Sequence, residues 1–154
     1  KDGSDIEARS HMMAASLMGA TAFQKGLGAM HSLSHPCSAN LNTHHGLTNA
    51  VVMPYVLSWN RPALGEKMQR LAAYLNLPQH SFSGVLDWIL ELRNTIGVPD
   101  TLAELGVTPE HADAFARQAF DDPSTGGNPV PVTVAEFAQL YRNCIEGRLQ
   151  TATR

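Results

Sequence analysis

The chain has 154 residues, a length that suits one ordinary domain with material for a real core. Apolar residues make up 44% and aromatics only 6%, which favours helix-on-helix packing over a β-sandwich, since sandwiches spend more Val, Ile, Thr and Tyr. Net charge is −3 and no basic stripe is visible, which argues against nucleic acid as a partner. The longest apolar run, Ala50 to Leu57, is interrupted by Pro54 and is too short to span a bilayer. Cys37 and Cys144 stand far apart in no metal-type pairing, and no signal-peptide pattern opens the chain. A reducing, cytoplasmic setting is therefore expected. The start at Lys1, without an initiator Met and in helix-like sequence, reads as part of something longer.

In chain order, Ser4 is a candidate cap for a helix starting near Asp5, with Asp5 and Glu7 favourable in its first turn. Apolar residues continue at helical spacing through Met13, Leu17, Ala20 and past Phe23. Gly19, Gly26 and Gly28 fit a buried helix with close backbone approach, and Met12, Met13, Met18 and Met30 fit core filler. Pro36 predicts an end near His35, leaving Cys37 to Asn42 as connector. Asn42 or Thr43 caps a helix from about His44 to Trp59, bent at Pro54, and Pro62 opens another over Ala63 to Leu75. Ser81 or Ser83 starts a helix through Val85, Trp88, Ile89 and Leu92 that stops at Gly97-Val98-Pro99.

A short turn spans Leu102 to Leu105, and Thr108-Pro109-Glu110 begins a helix through Ala112 to Phe120. The Asp, Pro, Gly and Asn of residues 121–132 mark loop. Thr133-Val134-Ala135-Glu136 is a capping box for the last helix, which carries Phe137, Leu140, Tyr141 and Cys144. Only the last few residues read as disordered. The expected fold is all-α, a single multihelical domain of about seven helices.

The informative cluster is His31, His35, His44 and His45, four imidazoles within fifteen positions around one helix break. Imidazoles are costly to desolvate without partners, so the grouping points to a divalent-metal site. His31 and His35 share a helix face and could chelate together. His31 with His45, across the break, is the competing pair. His44 and His45 point about 100° apart on a helix, so one of them faces the site, and Gly46 favours His45. The plain alternative is four capping or core histidines. Glu7 and His11 could add a carboxylate and an imidazole, though an i, i+4 surface ion pair explains them better. His80 and His111 read as solvated, and Thr125-Gly126-Gly127-Asn128 as a turn before Pro129.

The run Gly26-Leu27-Gly28-Ala29-Met30-His31-Ser32-Leu33-Ser34-His35-Pro36, then His44-His45-Gly46-Leu47-Thr48-Asn49-Ala50 and Met53-Pro54, closely resembles the iron-containing (group III) alcohol dehydrogenases. Gly127-Asn128-Pro129 before Thr133 also resembles the C-terminal end of that family. The resemblance implies a dehydroquinate synthase-like, metal-binding C-terminal helical domain of a two-domain NAD(P)-dependent enzyme. It implies His31 and His45 as metal ligands and His35 as a catalytic residue beside the metal and nicotinamide. The other two family ligands, from an Asp-x-x-x-His helix, have no match in this sequence, and the nucleotide-binding half has none either.

The implied cofactors are a divalent metal, Fe²⁺ ahead of Zn²⁺, and NAD or NADP. The implied partners are a small alcohol or aldehyde substrate, the missing N-terminal nucleotide-binding domain and, at full length, further copies of the same enzyme. This chain alone is expected to be inactive. The alternatives are a stand-alone helical metal-binding module using His31, His35, His45 and perhaps Glu7 or His11, and a maleylacetate-type reductase on the same scaffold.

Overall fold

The computed structural model describes residues 2–149, and none of these lies in a β-strand. Six α-helices carry the fold among the described residues: α1 (Ile6–Ala22), α2 (Ala29–Leu41), α3 (His45–Tyr74), α4 (Phe82–Ile96), α5 (Ala112–Asp121) and α6 (Val134–Glu146). Short 3₁₀ turns at Phe23–Lys25, Ala103–Leu105, Pro109–His111 and Pro123–Gly127 lie between them. The all-α class is as composition predicts. Six α-helices stand where about seven helices were expected because the short turn predicted over Leu102 to Leu105 forms a 3₁₀ turn; the break lost at Pro62 and the break gained at residues 26–28 cancel. The disorder expected at the last few residues lies outside the described residues.

Helix α2 packs on α3 and α5, α5 packs on α6, and α3 packs on α4. Leu33, Cys37, Val51, Val52, Phe137 and Tyr141 are fully buried where these faces meet, and the Tyr141 hydroxyl donates to the Leu33 carbonyl at 2.7 Å. Met68, Ala72, Phe82, Val85 and Leu86 form a second cluster between the later turns of α3 and α4. Cys37 and Cys144 are buried free thiols, with burial pushing Cys37 up to about 12 and Cys144 up as well. Both act as small hydrophobes. No helix among the described residues is long and apolar enough to cross a membrane.

Pro36, expected to end a helix, and Pro62, expected to open one, both lie inside helices, and Pro54 lies inside its helix as expected. Pro36 sits within α2, and α3 runs for 30 residues through both Pro54 and Pro62. Leu33 and Cys37 are one turn apart and both fully buried, so a helix stopped at His35 would withdraw Cys37 from the core. Burying both side chains offsets the backbone bond that proline removes. In α3, continuity past Pro62 lets one helix serve both clusters, with Val51 and Val52 in the first and Met68 and Ala72 in the second. The expected connector 37–42 shrinks to residues 42–44. Asn42 there adopts the left-handed conformation at φ 53°, and the cap is His44 rather than Asn42 or Thr43.

The opening helix divides where one long helix was expected. Asp5, not Ser4, caps α1, accepting the Ala8 N–H at 2.9 Å. Gly26, at φ 92°, turns the chain before α2. Helix α1 buries no residue, a Cβ added at Gly19 would meet nothing within 4 Å outside its own helix backbone, and Met12, Met13 and Met18 are 69%, 73% and 70% exposed. The expected buried helix and methionine filler are thus corrected: α1 packs against little beyond the turn that follows it. Met30 alone of the four packs on the main core. Ser81 caps α4, Gly97 ends it at φ 75°, and the Thr133–Glu136 capping box forms as predicted.

The segment 121–132, expected to be plain loop, contains the Pro123–Gly127 turn and is fastened to the start of α2. Asn128 Oδ1 accepts the Ala29 N–H at 3.2 Å, and Asn128 and Asn60 exchange two amide hydrogen bonds at 2.8 and 2.9 Å. The Thr125 hydroxyl donates to the Ala119 carbonyl at 2.6 Å and meets the buried Ser32 hydroxyl at 2.8 Å. Gly127 lies so close to Leu27 that a Cβ would collide with the Leu27 carbonyl oxygen, whereas a Cβ on Gly126 would meet nothing within 4 Å. Gly127→Ala should therefore lower stability by about 1–3 kcal/mol, and Gly126→Ala should change it by less than about 0.5 kcal/mol. Urea denaturation of both variants checks this contrast.

Candidate metal centre

The site is built by two helices and a three-residue return. His31 and His35 lie one turn apart on α2, with ring centroids 5.7 Å apart. The return at 42–44 brings His45, the first residue of α3, back against them. Its ring is 5.3 Å from His31 and stacks on His35 at 5.2 Å and 17°. His44 is used differently. Its Nδ1 accepts the Leu47 N–H at 3.2 Å as the helix cap, which holds its ring against Gly46 rather than in the cluster.

The ring orientations have local causes. The Nε2 atoms of His31 and His45 lie 3.4 and 3.0 Å from one atom, Asn49 Nδ2. Asn49 Oδ1 is buried without a partner. The fully buried Ser34 spends its hydroxyl proton on the His31 carbonyl at 3.1 Å, so at its long 3.4 Å contact with His45 Nδ1 it acts as acceptor. That assigns the proton of His45 to Nδ1 and leaves the Nε2 lone pair facing Asn49. Burial, then the neighbouring His45 and His35, hold His31 below the ordinary imidazole pKa; burial, then His35 and His44, do the same for His45. Neutral imidazoles are the form a metal takes.

His35 has a different anchor. Its Nδ1 meets Asp122 Oδ2 at 2.7 Å, and the other oxygen of Asp122 accepts the Ser124 N–H at 2.7 Å. Burial works to raise the Asp122 carboxyl, but the hydrogen bonds from His35 and Ser124 outweigh it, leaving it below the usual carboxylate range. Phe23 stands on one side, its ring roughly perpendicular to that of His31 with centroids 5.4 Å apart. Among the described residues no group of three or more His, Cys, Asp or Glu could hold a metal by itself. The donor set fits half of a coordination sphere: two convergent, neutral imidazole nitrogens, with no carboxylate hydrogen-bonded to either.

The remaining candidates stay outside. Glu7 and His11 form a 3.9 Å pair on α1 with both side chains at least 80% exposed. His80 is exposed. His111, expected to be solvated, is half-buried: its Nδ1 accepts the Thr108 N–H at 3.0 Å and its ring stacks on Phe115 at 5.0 Å. Sequence reasoning did not single out Asp122, Ser34 or Asn49. Asp122-Pro123-Ser124 carries a turn-capping signal, but nothing local says that the carboxylate meets a histidine 87 positions away.

Because its folded pKa is depressed, Asp122 contributes stability that is fully present above the unfolded carboxylate pKa near 4 and lost as pH falls through the folded value. Asp122→Asn should therefore cost about 1 kcal/mol at neutral pH and flatten the loss of stability between roughly pH 5 and pH 3. Denaturation midpoints measured across that range for both proteins test the sign.

The family model for the Fe-containing alcohol dehydrogenase family, C-terminal, matches residues 1–145. The chain is 34% identical over 122 residues to lactaldehyde reductase from Escherichia coli, covering 75% of this chain and 32% of that protein. It is 34% identical over 151 residues to NAD-dependent methanol dehydrogenase from Bacillus methanolicus, covering 94% of this chain and 40% of that protein. The solved structure of a 1,3-propanediol oxidoreductase superposes with a TM-score of 0.87 at 29% identity, over 93% of this chain and 39% of that one. The chain thus spans about a third to two fifths of the length of these relatives. The all-helical fold and the extent of the match agree: this chain belongs to the Fe-containing alcohol dehydrogenase family, matching its C-terminal part.

Proposed function

We propose that this chain is the helical part of an NAD(P)-linked oxidoreductase that interconverts small alcohols and their aldehydes or ketones. His31 and His45 are two ligands of its divalent metal, iron in the first instance, and His35 is its proton-handling residue. The observation that carries the reading is the convergence of His31 Nε2 and His45 Nε2 on one point, in a chain of this family. Relatives named as a lactaldehyde reductase and an NAD-dependent methanol dehydrogenase support small oxygenated substrates and a nicotinamide.

When bound, the metal supplies Lewis acidity to the substrate oxygen and the nicotinamide accepts or returns hydride. The chain's own residues do the rest. His31 and His45 contribute neutral nitrogen donors, and Ser34 fixes the tautomer of His45 from behind. Asp122 holds Nδ1 of His35, so Nε2 is free to take the hydroxyl proton in oxidation and give it back in reduction. The carboxylate stabilises the imidazolium so formed, much as a buried aspartate serves a catalytic histidine elsewhere. Phe23 restricts water on the His31 side.

With two donors only, the chain alone binds metal weakly and lacks a hydride carrier, so it is inactive by itself. The stand-alone module reading, with His31, His35, His45 and perhaps Glu7 or His11, gains no further ligand from that pair, which pairs with itself and stays exposed on α1.

In the full-length enzyme, His31→Ala and His45→Ala should each reduce metal content and lower kcat/KM by about 100-fold or more. His35→Ala should keep the metal and lower kcat by about 100-fold to 10,000-fold. Metal analysis alongside NAD-linked oxidation of small alcohols checks all three. Full metal content and activity in His31→Ala would sink the assignment, as would tight stoichiometric metal binding by this chain alone that Glu7→Ala abolishes.

A further inference from the structure

One amide stands between the two rings assigned to the metal. Asn49 follows His45 by four residues on α3, so the two side chains share a helix face. Its Nδ2 is 3.0 Å from His45 Nε2 and 3.4 Å from His31 Nε2, whereas its Oδ1 is buried with no partner. An amide kept only to support the fold would have its carbonyl oxygen satisfied, because an unmet buried acceptor is costly. Here the nitrogen faces the imidazoles and the oxygen goes unmet.

The donors and acceptors around it form one consistent series. The Ser34 hydroxyl donates to the His31 carbonyl, so its oxygen accepts from His45 Nδ1. His45 Nε2 then carries a lone pair and accepts from Asn49 Nδ2. An amide nitrogen has two protons, which leaves one for His31 Nε2. That contact requires His31 also to carry its proton on Nδ1. Among the described residues no other hydrogen bond reaches the His31 ring, so Asn49 alone sets its tautomer.

We propose that Asn49 is a positioning residue of this centre, holding the place of the metal until the metal takes it. Its amino group keeps both Nε2 lone pairs free of protons and turned to one point, and it withdraws when those lone pairs are given to the metal. The inference rests on the assignment of His31 and His45 as ligands. Metal binding needs an unprotonated imidazole nitrogen, so a ring with its proton on Nε2 must first move it. An isosteric carboxylate only accepts, so at the same point it would draw a proton onto Nε2 instead.

The test follows the imidazole nitrogens of the metal-free chain by ¹⁵N NMR in the wild type, Asn49→Ala and Asn49→Asp. It is run at about pH 8, above the depressed imidazole pKa values. Both wild-type rings should carry the proton on Nδ1. Asn49→Ala should lower the ratio of Nδ1–H to Nε2–H in His31 by about fivefold, and in His45 by less, because Ser34 still holds that ring. Asn49→Asp keeps the size of the side chain and should put a proton on Nε2 of His31; it remains decisive if Asn49→Ala does not fold. Excess Zn²⁺ should move the wild-type Asn49 amide protons in step with both Nε2 signals. The proposal is overturned if wild-type His31 carries its proton on Nε2, or if Asn49→Asp leaves both tautomers unchanged, as a packing role would. Asn49 amide signals that stay fixed while both Nε2 signals move with Zn²⁺ would overturn it as well. The tautomers are read without metal or turnover, so a failure here leaves the ligand assignment standing. Failure of that assignment shows separately, as full metal content in His31→Ala.

Discussion

The three-residue return between α2 and α3 is the constraint on which the histidine cluster depends. Asn42 takes the left-handed conformation that ends α2, and His44 supplies the cap that starts α3. Nothing longer would place His45, the first residue of α3, directly beside the face of α2 that carries His31 and His35. Two adjacent histidines thus do unlike jobs. One imidazole satisfies an orphan backbone N–H at a helix start, and the other enters the cluster. Asn49, one turn into α3, then gives the Nε2 atoms of His31 and His45 a common neighbour.

A second constraint comes from far along the chain. The turn at Pro123–Gly127 is held against the start of α2 by Asn128, Thr125 and the close approach of Gly127 to Leu27. The reciprocal amide pair of Asn128 with the buried Asn60 ties the same turn to α3. Asp122 heads that turn, so fixing the turn fixes the carboxylate on His35. Buried side-chain amides of this kind are costly when half-satisfied, and here each makes good hydrogen bonds to the other. The glycine pair that reads as an ordinary turn is thereby the means by which a distant carboxylate reaches the cluster.

Signals whose cause is local were legible in the sequence. The Thr133–Glu136 box, the stop at Gly97 and the proline-led entry to α5 each depend on residues within one turn of one another. The four-residue spacing of His31 and His35 was legible for the same reason. The continuity of α2 through Pro36 and of α3 through Pro62 was not, because it is decided by what Cys37 and the later turns of α3 bury against other helices. The exposure of α1 was equally out of reach: an apolar helix pattern says that a face suits burial, not which atoms cover it. Asp122 escaped notice because its partner lies 87 residues earlier. The pairing of His31 with His45 stayed open on spacing alone, and only the family resemblance favoured it.

The central claim is that His31 and His45 are the two imidazole ligands this chain contributes to a metal. X-ray absorption spectroscopy at the iron edge of the Fe²⁺-loaded full-length enzyme tests it most directly, beside His31→Ala, His45→Ala and His35→Ala. The account predicts that the imidazole scattering falls by one ring in each of the first two variants and is retained in the third. Unchanged imidazole scattering in both His31→Ala and His45→Ala, or loss of a ring in His35→Ala alone, would contradict it.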